Sequence, residues 1–246
     1  MGRQILYALV LAAAIAGTGA TARAATYDIA SDFLTGPGNN PNGVWSYGFT
    51  PTVPVITPGV PPALVLYDVS GTDTCGHPFW NSSVVQSLGA PAVFDNPTGG
   101  ALNCGIYVHP AHTAAFHPGQ QDQFSIYRFT TPSAGNYALD ATFTVLDPAT
   151  GGTDVHILNN GTQIYSADNT GGPTGTVFGS YNQNLSLAAG DLIDFAVGYG
   201  RDNSFFSDST GINATLTTGA AVPEPSTLLF LAAGLPGLGF IRRRTR

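Results

Sequence analysis

The feature that most restricts the fold is a strict alternation of apolar and polar residues between positions 139 and 145. In the stretch YALDATFTV, polar residues at positions 140, 142 and 144 separate Leu139, Ala141, Phe143 and Val145. Successive side chains of a β-strand point to opposite faces of the sheet, so this pattern predicts a strand with one buried face. No segment between residues 25 and 221 has the apolar spacing of an amphipathic helix. We therefore expect the folded part of the chain to consist of strands.

Further strands and their turns are predicted in the same half of the chain. The stretch DVHILNNGTQIYS contains two alternating runs around Asn160-Gly161, and an Asn-Gly step suits the positive φ angles of a tight hairpin. The stretch LSLAAGDLIDFAVGYG places Ile193, Phe195 and Val197 on one face, and INATLT supplies a last strand. Short strands separated by Gly, Pro and Asn turns predict an all-β fold, an antiparallel β-sandwich of the jelly-roll-like kind.

A single domain is expected to span residues 25–221, because about 200 residues is a comfortable length for one sandwich. The stretch from Thr50 to Phe116 is the least regular part of it. This stretch is rich in proline and offers only short apolar runs, namely ALVLY, AVF and GIYV. We assign it to the same domain, where these runs add strands or cap the sandwich.

Three stretches of the chain carry a resemblance to a known group of domains. These are FTTPSAGNYALDATF, TDVHILNNGTQIY and LAAGDLIDFAVG. Together they resemble the jelly-roll domains related to carbohydrate-binding modules and galactose-binding-like domains. The resemblance covers about Phe116 to Thr217. It implies a sandwich fold and a polysaccharide ligand, and it raises the idea of a structural calcium ion.

The first 24 residues have the features of a secretory signal peptide. Arg3 precedes an apolar run from about Ile5 to Gly17, and Ala22-Arg23-Ala24 provides the small-x-small pattern that signal peptidase cleaves. A membrane anchor is the alternative, but the apolar run is shorter than the roughly 20 residues needed to span a bilayer. We therefore predict export, with cleavage before Ala25.

Residues 222–246 form a second distinctive terminal segment. Pro223-Glu224-Pro225 is followed by a short apolar stretch, Leu228–Ile241, and then by four arginines: Arg242, Arg243, Arg244 and Arg246. These three elements in this order resemble the PEP-CTERM sorting tail of Gram-negative bacteria. A GPI signal also has a removable apolar tail, but the terminal arginines argue against it.

The PEP-CTERM resemblance implies a route for the protein. An exosortase, a membrane-embedded enzyme similar to a cysteine transpeptidase, would cut near Pro223-Glu224-Pro225 and pass the protein outward. The arginines would stop transfer, since a positive-inside bias keeps them at the cytoplasmic surface. The expected course is an inner-membrane precursor followed by the cell surface or the extracellular space.

The charge of the domain excludes nucleic acid as a partner. The chain has no lysine, and six of its eight arginines lie in the two terminal segments. Residues 25–221 keep only Arg128 and Arg201 against fourteen aspartates, a net charge of −12. Phosphate backbones require cationic contacts, which this domain does not supply. Charged residues make up only 9% of the whole chain, against about 25% in typical proteins, and this composition favours an extracellular β-protein.

Several enzyme classes are excluded by residue type. The absence of lysine rules out a Walker P-loop and a lysine Schiff base, and Glu224 is the only glutamate, which rules out an H-E-x-x-H metalloprotease helix. No G-x-S-x-G elbow occurs. A polysaccharide hydrolase with paired aspartates stays open as an alternative, because the required carboxylate spacing cannot be derived from sequence.

Cys75 and Cys104 are the only cysteines, and we predict that they form a disulfide because an exported chain meets an oxidising compartment. Two metal hypotheses stay open beside this. Three histidines (His109, His112 and His117) lie within nine positions and could bind zinc, although their spacing favours ordinary loop histidines. GYGRDNSFFSDSTG carries oxygen ligands suited to calcium, although such clusters also form turns for local reasons: Asp202, Asn203, Ser204, Asp208 and Ser209. We expect the domain to fold without a cofactor.

Aromatic side chains can stack on sugar rings. The stretch VWSYGF places Trp45, Tyr47 and Phe49 on one side of a strand, and a period-two stripe favours packing in the core over ligand contact. Better candidates for an exposed platform lie in less regular stretches: Trp80, Tyr199, Phe205 and Phe206.

The sequence thus predicts an exported, non-catalytic surface or extracellular-matrix protein with a structural or glycan-binding role. Its expected partners are an exosortase and the inner membrane during sorting, and extracellular polysaccharide afterwards. The alternatives are the aspartate-dependent hydrolase and a self-associating matrix or adhesion protein.

Overall fold

The computed structural model describes residues 24–219, except for residues 53, 55, 86–88, 97–99, 103–106, 110–112 and 148–151. The strands in the first half of this part are β1 (Thr26–Asp28), β2 (Trp45–Phe49), β3 (Val65–Leu66), β4 (Val69–Thr72), β5 (Pro78–Asn81), β6 (Ala92–Asn96), β7 (Gly100–Leu102) and β8 (Tyr107–His109). The second half contributes β9 (Thr113–His117), β10 (Ser125–Thr130), β11 (Gly135–Val145), β12 (Asp154–Asn159), β13 (Thr162–Asp168), β14 (Val177–Leu187), β15 (Leu192–Gly198) and β16 (Thr210–Thr218). A single turn of 3₁₀-helix, Gly200–Asp202, precedes β16.

The alternating stretch around Leu139 forms β11, as predicted. The odd-numbered side chains from Tyr137 to Val145 are buried, while the even-numbered ones between them are exposed or partly exposed. The strand pairs with β14 on one side and with β16 on the other. It thereby becomes an interior strand of one sheet, next to the edge strand β14, with its apolar face turned inward.

The strands form two large antiparallel sheets, and β7 and β8 pair with each other as a separate two-stranded sheet. The larger sheet has the order β14-β11-β16-β9-β6-β5-β4, with β1 also paired to β16, and the smaller has the order β13-β12-β15-β10-β2-β3. From β9 onward the chain passes repeatedly from one sheet to the other, and only the β12–β13 hairpin stays within one sheet. The predicted all-β, jelly-roll-like antiparallel sandwich is confirmed.

Two short strands share one side of β16. β9 pairs with Thr210–Ile212 at the beginning of β16, and β1 pairs with Thr215–Thr217 near its end. Thr26, the first residue of β1, lies opposite Thr217. The two ends of the Thr26–Gly219 unit are therefore neighbours in the sheet.

The core lies between the sheets and is strongly aromatic. Trp45, Tyr47 and Phe49 are at most 2% exposed, which confirms that this stripe packs in the core. The tyrosine and phenylalanine rings of β10 lie against them, with Tyr47 and Tyr127 edge-to-face at 5.5 Å and Trp45 and Phe129 at 5.3 Å. Such pairs add to the stability that burial of their apolar surface provides.

The predicted hairpin at Asn160-Gly161 joins β12 to β13. Both residues have positive φ, 49° and 78°, as a tight primed turn requires. A Cβ atom on Gly161 would lie 2.1 Å from the carbonyl of Val60. The glycine is thus needed for the turn and for the close passage of another segment.

That segment, residues 56–64, is called the strap here, and it crosses the outer face of the smaller sheet. Ile56 and Leu64 pack against a small apolar cluster on that face: Phe124, Ile126 and Ala196. The amide of Gly59 donates a hydrogen bond of 3.0 Å to the hydroxyl of Thr162 in β13. A sheet face that would otherwise be open to water is therefore covered.

Beneath the strap lies a buried ion pair between neighbouring strands. The Arg128 Nε lies 2.6 Å from Oδ1 of Asp194, and Nη2 lies 2.9 Å from Oδ2. Nη2 also donates to the carbonyl of Pro62 in the strap at 2.9 Å. Asp194 is fully buried, and this burial raises the pKa of its carboxyl group while the arginine opposes the shift.

The stretch from Thr50 to Phe116 belongs to the sandwich, as assigned. It supplies the strap and seven strands, of which β4, β5, β6 and β9 complete the larger sheet. Cys75 lies in a turn, where its amide donates to Asp73 Oδ1 at 2.8 Å. Because Cys104 lies outside the described residues, the bond between Cys75 and Cys104 stays a prediction.

The terminal segments lie outside the described residues. This applies to positions 1–23 of the predicted signal peptide and to the whole predicted sorting tail, residues 222–246. Within the part of the chain that the structure describes, no helix has the length and apolar character needed to cross a membrane.

Candidate functional site

A cleft lies where the chain crosses from one sheet to the other. Leu66 ends β3 in the smaller sheet, Tyr67 and Asp68 make the crossing, and Val69 begins β4 in the larger sheet. The cleft has a volume of about 620 Å³, and Pro37 and Trp80 also line it. We call it the crossing cleft. Its volume falls within the range of about 300–1,000 Å³ that is usual for small-molecule sites.

Asn40 fixes one wall of the crossing cleft. Its Nδ2 donates to the carbonyls of Tyr47 and Tyr67 at 2.7 and 2.9 Å, and its Oδ1 accepts from the amide of Tyr47 at 2.9 Å. Both donor hydrogens are thus used to attach this loop to the sandwich. Asn40 therefore positions the wall, and the ligand-facing chemistry must come from other residues.

Asp68 is the charged group of the crossing cleft. Its side chain is exposed, and Ser83 donates to both carboxylate oxygens, from the amide at 2.8 Å and from the hydroxyl at 2.5 Å. These hydrogen bonds lower the pKa of Asp68, so it is ionised at neutral pH. A carboxylate has about four acceptor sites, and Ser83 occupies two of them. The remaining sites can accept hydrogen bonds from a ligand.

The floor of the crossing cleft is made of buried aromatic residues. Trp80 is 4% exposed and donates from Nε1 to the carbonyl of Leu34 at 2.7 Å. Tyr67 is 2% exposed, and its hydroxyl lies 2.8 Å from that of Ser125. Apolar contact surface at the rim comes instead from the more exposed Leu66, which is 39% exposed, and from Pro37.

The predicted aromatic platform is wrong for two of its four members. Trp80 faces the core from β5, and Phe205, at 4% exposed, packs edge-to-face against His117. Neither ring presents a face to solvent. Tyr199 is partly exposed and Phe206 is 60% exposed, so Phe206 is the one well-exposed ring of the four.

A cluster of aspartates lies apart from the crossing cleft. Asp208 is fully buried at the approach to β16, and it is close enough to Asp147, Asp154 and Asp202 for their charges to act on it. Burial raises the pKa of Asp208 to about 8, the hydroxyl of Thr153 opposes the shift, and the neighbouring carboxylates add to it. Its Oδ2 atom has no hydrogen-bond partner within the described part of the chain. We call this group the acidic cluster.

The predicted calcium loop is largely a set of local turns. Asp202 Oδ1 accepts from the amide of Ser204 at 3.0 Å, and the Ser204 hydroxyl accepts from the amide of Phe206 at 3.2 Å. Asp208 accepts a hydrogen bond from Thr153 Oγ1, outside this loop, at 3.1 Å. Within the described ranges, no group of three or more His, Cys, Asp or Glu side chains is arranged to hold a metal ion.

The three clustered histidines are only partly described. His117 is largely buried, and this burial lowers the pKa of its imidazole, which favours the neutral ring. Its Nδ1 lies 2.9 Å from the carbonyl of Pro118, at the turn before β10. His112 and the side chain of His109 lie outside the described residues.

The sorting residues predicted from sequence also lie outside the described residues: Pro223, Glu224, Pro225, Arg242, Arg243, Arg244 and Arg246. The crossing cleft, in contrast, was missed. Its signal in the sequence is slight, a single aspartate that follows the apolar run ALVLY. Asp68 lines the cleft because the chain crosses from one sheet to the other at this point, and no local sequence pattern predicts the crossing.

No protein-family model and no curated protein matches the chain. The chain is similar to several solved structures at low levels. One is a family 35 carbohydrate-binding module from Clostridium thermocellum, at 16% identity and a TM-score of 0.31, covering 48% of this chain and 85% of that one. Another is a CBM51 from Clostridium perfringens GH95 in complex with methyl-galactose, at 14% identity and a TM-score of 0.32, covering 62% and 94%. A third is the CBM35 of Cellvibrio japonicus Abf62, at 12% identity and a TM-score of 0.30, covering 81% and 95%. Similarities this low transfer no ligand and no site residue to this chain.

Proposed function

We propose that this chain is an exported, non-catalytic protein that binds polysaccharide in the crossing cleft and acts at the cell surface or in the extracellular matrix. The observation that carries the proposal is the combination of an ionised, solvent-accessible Asp68 with adjacent apolar surface. Sugars present hydroxyl donors at their edges and C–H groups on their faces. A fixed carboxylate beside Leu66 and Pro37 suits both.

The position of the acidic cluster favours binding over hydrolysis. A glycosidase needs two carboxyl groups that both reach the scissile bond. Within the acidic cluster, Asp208 is fully buried and Asp147 is 5% exposed, so a polysaccharide cannot contact these two. Asp154 is partly exposed and lies 2.8 Å from His156 Nε2, which leaves Asp202 as the one exposed carboxylate of the cluster. At the crossing cleft, Asp68 is the only carboxylate among the described lining residues. The proposed role therefore requires no bond cleavage.

Replacing Asp68 by alanine is expected to weaken polysaccharide binding about tenfold, because the cleft loses its charged acceptor. The measurement is retention of the protein on immobilised polysaccharides, followed by calorimetric titration of the oligosaccharides that retain it. Asp140→Ala is the matched control, since Asp140 is exposed on the outer face of the larger sheet and carries the same charge. This control is expected to bind as the wild type does.

Three outcomes contradict the proposal in different ways. Release of shortened sugars from the column shows a hydrolase. Concentration-dependent oligomers without retention on any polysaccharide show a self-associating matrix protein, for which the exposed Leu34, Val65 and Leu66 would be the first residues to test. Equal loss of binding in Asp68→Ala and Asp140→Ala places the ligand elsewhere.

Export and sorting by an exosortase are part of the same proposal and are supported by the sequences of the two ends. Glu224→Ala is expected to leave uncut protein in the inner membrane, because Pro223-Glu224-Pro225 combines an extended backbone with the tail's only negative charge. Cell fractionation with size analysis measures this. Neutral replacements of the four tail arginines are the comparison, and they should let uncut protein pass outward. If the Glu224→Ala protein is released normally, the tail is not a sorting signal and is only an anchor.

A further inference from the structure

We infer that the crossing cleft selects sugars that carry a free, protonated amine, so that its natural ligand is a polysaccharide containing glucosamine-type residues without N-acetylation. This inference rests on the proposed glycan-binding function and names the ligand class of the same site. It depends on the charge of the cleft, on the positions of the domain's two cations and on the charge of the whole domain.

The crossing cleft carries one charge, and it is negative. Among the described residues that line it, Asp68 is the only ionisable group apart from the buried phenol of Tyr67. The hydrogen bonds from Ser83 fix the orientation of the Asp68 carboxylate. An ammonium group has three donors and a positive charge, so it makes charge-assisted hydrogen bonds to such an acceptor, whereas a sugar hydroxyl makes neutral-donor bonds.

Neither of the domain's two arginines, both of which the structure describes, is placed to receive an acidic sugar at the crossing cleft. Arg128 lies under the strap in its buried pair with Asp194. Arg201, the only other arginine between residues 25 and 221, pairs with Asp168 at the end of β13. β13 is the opposite edge of the smaller sheet from β3, where the crossing cleft lies. A uronate or sulfate would therefore meet Asp68 without a compensating positive group.

The charge of the whole domain acts in the same direction over a longer range. Residues 25–221 carry two arginines against fourteen aspartates. Such an excess attracts polycations and repels polyanions at low ionic strength, and salt screens the effect over a distance of about 8–10 Å. A polysaccharide with repeated ammonium groups gains from this field at every residue near the protein. A neutral glycan gains nothing from it.

The test compares three oligosaccharides of equal length on the protein purified from the cells that make it. These are a glucosamine tetramer, an N-acetylglucosamine tetramer and a tetramer of a uronic acid, titrated calorimetrically at about pH 6, where the amine is protonated and Asp68 is ionised. At low salt the glucosamine tetramer is expected to bind about fivefold more tightly than the N-acetylated one, and the uronic acid most weakly. Moderate salt should reduce the preference.

Two variants that each remove one negative charge test whether the preference for the amine depends on Asp68. Asp68→Asn keeps one carbonyl acceptor and removes the charge, so the N-acetylated tetramer should bind within about twofold of wild type while most of the preference for the amine is lost. Asp140→Asn removes the same charge far from the cleft and should keep most of the preference. The comparison of the two variants separates the local carboxylate from the overall field.

The possible failures are distinguishable. If the N-acetylated and amine tetramers bind equally well to wild type, or if the uronic acid binds best, the inference is wrong and the glycan-binding proposal stands. An amine preference as large in Asp68→Asn as in wild type also overturns the inference. If no tetramer or immobilised polysaccharide binds, the proposed function itself fails.

Discussion

Replacing Arg128 by methionine is expected to lower the free energy of unfolding by about 3–5 kcal/mol. The change leaves the carboxylate of Asp194 fully buried without its partner, and it also removes the donor to the carbonyl of Pro62. An unpaired buried charge costs far more than the contact that was lost. Denaturant unfolding at neutral pH measures the difference.

The chain offers a matched control, because its domain contains one other arginine. Arg201 is 74% exposed and pairs with Asp168 on the surface. Arg201→Met should therefore cost less than about 1 kcal/mol. The double variant Arg128→Met, Asp194→Leu should recover most of the loss, since it removes both charges. A single Arg128→Met variant as stable as wild type would mean that water reaches Asp194, and the strap would not seal this face.

Replacing Asp208 by asparagine is expected to stabilise the domain by about 2–4 kcal/mol near pH 8–9 and to have little effect near pH 4. Burial and the nearby carboxylates raise the pKa of Asp208 to about 8, against about 3.9 in an unfolded chain. Asparagine keeps an oxygen for the Thr153 hydroxyl and carries no charge to bury. Urea unfolding of both proteins at several pH values measures the gain.

The sign of this effect follows from proton binding. Between about pH 4 and pH 8 the folded state keeps the Asp208 proton and the unfolded state releases it. The stability contributed by the protonated group is therefore complete below pH 4 and is lost as pH rises to about 8. Asp208→Asn should remove this slope, and the difference between the two proteins should level off above pH 8.

The pH series needs a control variant and a test for bound metal. Asp140→Asn, at an exposed position, should leave the slope unchanged. The series is run with a chelator, because a bound divalent cation would neutralise the acidic cluster. If calcium stabilises wild type but not Asp208→Asn, the cluster is a cation site and our expectation of a metal-independent fold is wrong.

The parts of the fold that sequence predicted are those where local pattern and tertiary burial agree. The alternation in β11 determines which side chains face the core, since a shift of one residue in the strand register would expose Leu139 and Phe143 together. The Asn160-Gly161 turn follows from backbone conformation alone. The strap could not be predicted from an alternating pattern or from local backbone conformation. Its prolines indicate an extended path, but they do not indicate the sheet face on which it lies.

The candidate site was harder to predict because it depends on contacts distant in sequence. Ser83, fifteen residues away, orients Asp68, and Asn40 fixes the wall from a different loop. The aromatic predictions failed for a related reason. Trp80 and Phe205 lie in stretches without a period-two pattern, but such a stretch can still be buried, and each of the two side chains is only 4% exposed. Period-two stripes predict burial well, while their absence predicts little about it.

The pairing of β1 with the end of β16 has a mechanical consequence. Thr26 lies opposite Thr217, so a force that pulls the two ends of the folded unit apart acts on one end of this three-residue pairing. The backbone hydrogen bonds then break in succession, as in a zipper, and are not loaded together. Such tension would detach β1 first, while β11 and β14, which pair along nearly their full length elsewhere in the sheet, keep their contacts. The fold thus has an edge that yields under small loads before its interior is strained.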